Sequence, residues 1–429
     1  IGHRRHDRVE PPGTVQRDRR DRPLDRVENR FETHPWHPTA VPRGNPTLPA
    51  RIPGMSTQSG PITVYGATGY TGKLVAAELA SREVPFIVAG RNREKLEALA
   101  DRLDGPGGKP ESHAVATTDP RGLKELFARS GAVIACAGPF SLHGEPVLAA
   151  AVEAGTHYLD TTGEQPFVRL AFDTYGPKAL GKGSAVIPAM GFDYVPGDML
   201  AALTAAALGA GETVDKVRLG YHAPFQPSQG TMRSGIEMIK GGDFEWRERA
   251  LRPASQAVGR PDFDFGGELG LQKMMHYPSA EHITVPTHLS PRSVETGLTV
   301  ASFAPNAASQ AVMPAFTRAL GLAMRTPLRS LMSKAISAMP EGADDQGRTA
   351  SRFEIGCEVT SARRMARGRL TGTDVYGLTA ALIVDGAIRA SRGEVRGSGA
   401  LAPAAAFDPA TFLSGLDRFG FNWEVTPPR

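Results

Sequence analysis

The chain has 429 residues, 41% hydrophobic and 22% charged, a composition typical of a globular protein long enough to bury two cores. Its only cysteines, Cys136 and Cys357, stand far apart without CxxC or Cys/His spacing, which argues against a disulfide scaffold and a structural zinc site; no metal is expected. No uninterrupted apolar run reaches the ~18 residues of a membrane helix, and the charged, Pro-rich start lacks a signal-peptide pattern, so a cytoplasmic protein is expected.

The formal charge of +4 resides in residues 1–54, which hold 11 Arg and no Lys against 7 acidic residues; the remaining 375 residues carry 38 basic and 38 acidic side chains. That balance excludes a basic body built for nucleic acid. The tail has too little apolar periodicity to offset chain entropy, so residues 1–58 are expected to be a disordered or non-native extension. Three readings stay open for it: translation beginning at Met55, a basic arm for RNA or anionic lipid, and a plain disordered extension.

Residues 61–65 (PITVY) predict a short buried strand that runs into Gly66, Ala67, Thr68, Gly69, Tyr70, Thr71 and Gly72, followed by a helical pattern over 73–80. Strand, glycine turn and helix in this order form a dinucleotide fingerprint, here spaced GxxGxxG rather than GxGxxG. Gly66 permits the tight turn, Gly69 lets the backbone approach a pyrophosphate, and Gly72 lets the helix pack closely on the strand. The next predicted strand, 86–89 (FIVA), ends in Gly90-Arg91-Asn92-Arg93 where an NAD-preferring site would offer Asp or Glu. Arg91, beside Asn92, suits a 2'-phosphate, because a guanidinium binds that dianion bidentately; the expected cofactor is therefore NADPH/NADP.

The alternation continues with strands at 113–116, 132–137 and 156–159, helices near 120–128 and 145–154, and a strand at 185–187 that should complete a parallel sheet. Ala137, Gly138, Pro139 and Phe140 follow the fourth strand, where open α/β sheets place ligands, and are expected to border the nicotinamide, with Phe140 against ribose or ring. Cys136 reads as a small buried hydrophobe. Candidate acids are His143, Tyr158, Asp160, Glu164, Asp193 and Tyr194; Tyr158 and Asp160, ending a parallel strand, and His143, near the expected cofactor, are the catalytic choices.

Five ordered stretches, YGATGYTG (65–72), VAGRN (88–92), CAGPF (136–140), GTHYLDTTGE (155–164) and GFDYVPGD (191–198), resemble the saccharopine dehydrogenase-like oxidoreductases, especially the actinobacterial branch described as trans-acting enoyl reductases of lipid biosynthesis. The likeness continues through 229–231, 372–376 and 401–404. It implies a Rossmann domain, an inserted mixed-sheet domain and a terminal helical segment returning to the first. It further implies Gly66, Gly69 and Gly72 at the pyrophosphate, Arg91 at the adenosine phosphate, and Gly138 with Pro139 at the nicotinamide ribose. The chain departs from the pattern at Tyr194, where Ser is common, and at 373–376. It also shows no Arg/Lys cluster between Gly191 and Gly356 for an amino-diacid, so a lysine-pathway activity is disfavoured.

The expected fold class is α/β, a Rossmann-type parallel sheet domain with a second mixed-sheet α+β domain. Its boundaries are 59–192 for NADP binding, 193–372 for substrate or dimerisation, and 373–429 for the returning helical segment. In the second half, strands are predicted at 214–221, 282–285, 298–303, 352–359 and 365–370, with helices at 231–240 and 375–390. Residues 241–279 form either a lid or a structured surface excursion. Residues 311–339 combine an apolar stripe with Arg318, Arg325 and Arg329, the pattern of a peripheral membrane contact, a homodimer face or an ordinary core helix pair.

Together these features predict an NADPH-dependent oxidoreductase that reduces a C=C (enoyl) or C=N bond of a hydrophobic acyl substrate, free or carrier-bound. A non-catalytic NADPH sensor or scaffold, and a saccharopine-type dehydrogenase of amino-acid metabolism, are the alternatives. No nucleic-acid partner is expected.

Overall fold

The computed structural model describes residues 60–224, 226–254, 260–304 and 335–428. The N-terminal extension and residues 311–334 of the amphipathic stretch lie outside them.

The first half alternates β1 (Ile62–Tyr65), α1 (Tyr70–Ser81), β2 (Phe86–Gly90), α2 (Arg93–Arg102), β3 (Glu111–Ala114), α3 (Pro120–Ala128), β4 (Ala132–Ala135), α4 (Phe140–Ala154), β5 (His157–Asp160), α5 (Gln165–Leu170), α6 (Gly176–Lys182) and β6 (Ala185–Ile187). The strands β1, β2, β4, β5 and β6 are buried along their whole length, as expected of a parallel sheet covered on both faces. Helix starts carry local caps: Asn92 accepts from the Lys95 N–H and Asp119 from the Gly122 N–H. Gly155 (φ 74°) and Gly183 (φ 69°) end α4 and α6 in the left-handed conformation that glycine adopts without a Cβ penalty.

The second half contains α7 (Val195–Ala206), β7 (Lys216–His222), α8 (Gln229–Gly241), β8 (Phe244–Arg247), β9 (Ala250–Pro253), β10 (Arg260–Asp264), β11 (Leu271–His276), α9 (Glu281–Leu289), β12 (Ser293–Thr299), α10 (Asp345–Ala350), β13 (Arg352–Thr360) and β14 (Met365–Thr373). After these come α11 (Val375–Ser391), β15 (Gly399–Ala400), α12 (Pro403–Ala406), α13 (Pro409–Leu413) and β16 (Asn422–Thr426).

Two sheets result. The first is all parallel, in the order β15-β6-β5-β4-β1-β2-β3. The second runs β10-β11-β12-β7-β13-β14-β16, with β8 paired to β12 and β9; only β7 and β12 run parallel. Helices α7 and α9 pack on the second sheet. Lys216–Glu295 (2.7 Å), Arg218–Glu358 (2.8 Å) and Arg369–Glu354 (2.7 Å) form a ladder of cross-strand ion pairs on it.

Three expectations change and one open alternative is decided. The first sheet does not finish at β6, because β15, from far along the chain, pairs with it in parallel. Residues 282–285, β-branched and strand-like in isolation, are helical in α9. There Ile283 and Val285 are buried, and the buried His282 ring accepts from the Trp246 N–H (3.2 Å) and meets Thr296 Oγ1 (2.9 Å), so tertiary packing overrides local propensity. The strand expected to reach 303 ends at Thr299 and becomes a 3-10 turn, Val300–Ser302. The 241–279 stretch contributes β8 to β11, with Trp246, Phe263, Phe265 and Met274 buried, and is a structured part of the second sheet.

The terminal segment is not wholly helical. Helix α11 is buried along most of its length and packs on α1, β4 and β5, while β16 extends the second sheet beside β14. No helix among the described residues is long and apolar enough to cross a membrane.

Candidate functional site

Strand order reverses at β1: β2 and β3 lie to one side, while β4, β5 and β6 lie to the other. The crevice beyond the carboxyl ends of β1 and β4 is therefore the switch point at which open α/β sheets bind ligands. Gly66, at φ 82°, sits where the two loops touch, and a Cβ there would stand 2.8 Å from the Ala137 nitrogen. A Cβ on Gly72 would run into the Gly66 carbonyl oxygen and approach the Ala67 Cα to 2.8 Å.

Gly69 differs. A Cβ there would meet nothing closer than the Gly66 oxygen at 3.5 Å, so protein packing alone does not demand glycine. Gly69 is the N-cap of α1, offers no side-chain cap, and no acidic residue occupies the first turn. Uncapped N–H groups, the positive end of the helix dipole and a cradle that a side chain would fill all fit a pyrophosphate.

Directly after β2, Arg91 is exposed, and no ion pair engages it among the described residues. Arg93 sits 4.0 Å from Glu97. The Asn92 Oδ1 accepts from the Lys95 N–H at 2.9 Å, so that oxygen caps α2.

The opposite end is enclosed by buried polar contacts. Glu164, fully buried, accepts from the Phe140 N–H (2.8 Å), the Ser141 N–H (2.9 Å), the Ser141 hydroxyl and the Ser234 hydroxyl (2.9 Å). It caps α4 from a distant part of the chain and ties α8 to the Gly138 loop. A Cβ on Gly138 would lie 3.5 Å from the Ser234 Oγ. Phe140 is buried against Phe167, ring centroids 5.4 Å apart, and thus faces the interior where a cofactor-facing ring was expected.

The second half also reaches the glycine loop. Tyr70 packs edge-on against Tyr376, centroids 5.0 Å apart, and donates to the Ala343 carbonyl (2.7 Å). The Ser228 N–H donates to the Tyr376 hydroxyl (2.7 Å), and Lys73 pairs with Glu341 at 2.6 Å. Ser234 and Tyr376 escape sequence reasoning because only long-range contacts bring them here; the 229–231 and 372–376 likenesses were the available signal.

The catalytic candidates separate. Tyr158 and Asp160 share one face of β5, and both are fully buried. Asp160 Oδ1 accepts from the Thr162 N–H (2.9 Å) and the Ala189 N–H (3.0 Å), which fastens the loops after β5 and β6; burial pushes its carboxyl up to about 7. Burial also raises the Tyr158 phenol well above its usual range. His143 is exposed in the first turn of α4. Burial pushes the thiols of the half-buried Cys136 and the fully buried Cys357 up to about 12, which does not suit nucleophiles.

A surface cavity of about 340 Å³ lined by Pro61, Phe86 and Pro110 lies at the amino ends of β1 and β2, the wrong end of the sheet for this chemistry.

Residues 62–187 match the family model described as the saccharopine dehydrogenase NADP binding domain. A saccharopine dehydrogenase-like oxidoreductase of Bos taurus is 36% identical over 161 residues, 34% of this chain and 38% of that protein. A trans-acting enoyl reductase of Mycobacterium ulcerans is 37% identical over 141 residues, 32% of this chain and 34% of the relative. Well under half of each relative is thus matched. The apo saccharopine dehydrogenase (L-Glu forming) of Saccharomyces cerevisiae has a similar fold, with a TM-score of 0.57 at 13% identity over 86% of this chain and 100% of that one. Residues 62–187 are thus similar to the NAD(P)-binding Rossmann domain of the saccharopine dehydrogenase family, and saccharopine dehydrogenase-like oxidoreductases and trans-acting enoyl reductases are both among the relatives of this part of the chain.

Proposed function

We propose that the chain is an NADPH-dependent reductase of a C=C or C=N bond in an apolar acyl substrate. The observation that carries this reading is an open cradle at Gly69 combined with an exposed Arg91 where a carboxylate would repel a 2'-phosphate. In this reading, residues 66–72 hold the pyrophosphate, Arg91 and the neighbouring Asn92 backbone hold the adenosine phosphate, and the backbone of Ala137, Gly138 and Pro139 borders the nicotinamide ribose. When bound, the reduced nicotinamide supplies hydride. The chain's part is to fix the Gly138 loop through Glu164 and to lay α8 over it, which orients the reactants and keeps water out.

An apolar substrate is supported by the engagement of nearby arginines. Arg169 pairs with Asp173 (3.1 Å), Arg348 pairs with Asp374, and Arg233 donates to Ser337 (3.0 Å). An amino-diacid would need several such cations left available. The names of the enoyl reductase relatives point the same way.

Following NADPH absorbance on addition of a 2-enoyl thioester, free or carrier-bound, or a cyclic imine tests the reading. Oxidation is expected with one class. NADPH that binds and stays reduced with both would replace the reductase with a non-catalytic cofactor sensor.

A further inference from the structure

Three carboxyl groups stand at the carboxyl edge of the parallel sheet near the crevice: Asp160, Glu164 and Asp193. The first two are fully buried; backbone N–H groups donate to both oxygens of Glu164 and to Asp160 Oδ1, while Asp160 Oδ2 is sealed in the interior without such a donor. Asp193, on the link from β6 to α7, is half-buried, and the Tyr277 phenol stands against it as the polar group that favours its ionised form.

The link that carries Asp193 is held firmly. Ala189 lies at φ 60°, a left-handed conformation uncommon for a residue with a Cβ, and its N–H is held by Asp160 at 3.0 Å. The Phe192 N–H donates to Thr379 Oγ1 (3.0 Å), and the Tyr194 hydroxyl donates to the Gly163 carbonyl (2.7 Å). Gly163 adjoins Glu164, which caps the loop on the nicotinamide side. A carboxyl group kept partly accessible on a strained, triply fastened loop is positioned for chemistry rather than for stability.

We propose that Asp193 is the proton carrier of the cleft, with Tyr277 as its positioning residue. The proposal rests on the reductase reading above. As hydride reaches one atom of the C=C or C=N bond, the Asp193 O–H bond breaks and a new bond to hydrogen forms at the neighbouring carbon or nitrogen. The substrate gains two electrons, the nicotinamide loses them, and the carboxylate regains its proton from water. Asp193 faces Tyr194 on its own loop, Tyr221 of β7, Tyr277 after β11 and Tyr376 of α11. None of these is a cation that would hold the carboxyl ionised. Burial pushes it up to about 6, and the Tyr277 phenol opposes the rise. Proton exchange near neutrality follows.

The test uses the whole chain and two readouts. Infrared titration without cofactor should show a protonated-carboxyl band that disappears with a midpoint near 6. Asp193→Asn should remove that band, and Tyr277→Phe should move its midpoint upward, because a group that favours the carboxylate is lost. In single-turnover NADPH oxidation, Asp193→Asn should slow the reaction by roughly 100-fold or more, with NADPH affinity unchanged. Tyr277→Phe should slow it less and shift the pH profile in the same direction as the band. Asp160 and Glu281 contribute bands of their own with midpoints near 7 and 8, so full rate in Asp193→Asn, or survival in that variant of the component with its midpoint near 6, would overturn the proposal alone. No turnover in the unsubstituted chain despite NADPH binding would overturn the reductase reading, and this proposal with it.

Discussion

The two ends of the crevice are built in opposite ways. At the β2 end Arg91 stands exposed and outside any ion pair among the described residues, on a loop whose other polar group, Asn92, already caps a helix. At the far end Glu164 is fully buried and shared among α4, the Gly138 loop and α8. In the proposed reading, cofactor choice hangs on a solvated side chain that can be changed without disturbing the core, whereas the proposed reactive end is made of groups that also hold the fold together, so substitutions there mix stability with chemistry.

Arg91→Asp gives the largest effect that should leave the fold alone. It removes a charge-assisted pair and adds repulsion, so NADPH affinity should fall by roughly 2–4 kcal/mol while NADH changes far less. Equal losses for both cofactors, measured by calorimetry, would break the assignment of the adenosine end.

The two glycines of the fingerprint sharpen the contrast within one loop. Gly72→Ala places a Cβ against the Gly66 carbonyl and 2.8 Å from the Ala67 Cα, so stability should drop by about 1–3 kcal/mol. Gly69→Ala meets no such obstacle and should keep or slightly raise the melting temperature while weakening NADPH binding. A Gly69→Ala protein that binds normally would show that the pyrophosphate does not pass there.

Glu164→Gln keeps the shape but loses charge assistance at the Phe140 and Ser141 N–H groups, and should cost about 1–2 kcal/mol by urea denaturation. Unchanged stability would mean that this end is less tightly committed than its contacts imply.

The smallest effect is a pH slope. Burial pushes Asp160 up to about 7 and Glu281 up to about 8, above the unfolded value of about 4. The folded chain then holds more protons than the unfolded one between those values. Stability present at low pH is lost as pH rises through 7 and 8. Glu281→Gln should flatten the alkaline part of that decline. Urea midpoints that keep the original slope in this variant would rule Glu281 out as its source.

Local rules made the first half legible. Short apolar strands, a glycine turn and Asn or Asp caps place β1 to β6, the glycine loop and Arg91 within a few residues of where they stand. The second half resisted because its determinants are distant. His282 becomes helical through Trp246 and Thr296, and β15 completes a sheet begun more than three hundred residues earlier. At the site, Glu164 was visible as a carboxyl group beside the sheet, but its capping of α4 was not, since its partners at 140, 141 and 234 share no local pattern with it. Tyr376 is reached only by folding α11 back across the first domain onto Tyr70.

In the proposed reading this Rossmann crevice is built for a phosphorylated dinucleotide held at Gly69 and Arg91. Calorimetric titration of the unsubstituted chain with NADPH and NADH in the same buffer tests it most directly. NADPH should bind at least about tenfold more tightly, a difference of about 1.4 kcal/mol. Equal affinity for the two, or tighter binding of NADH, would contradict it.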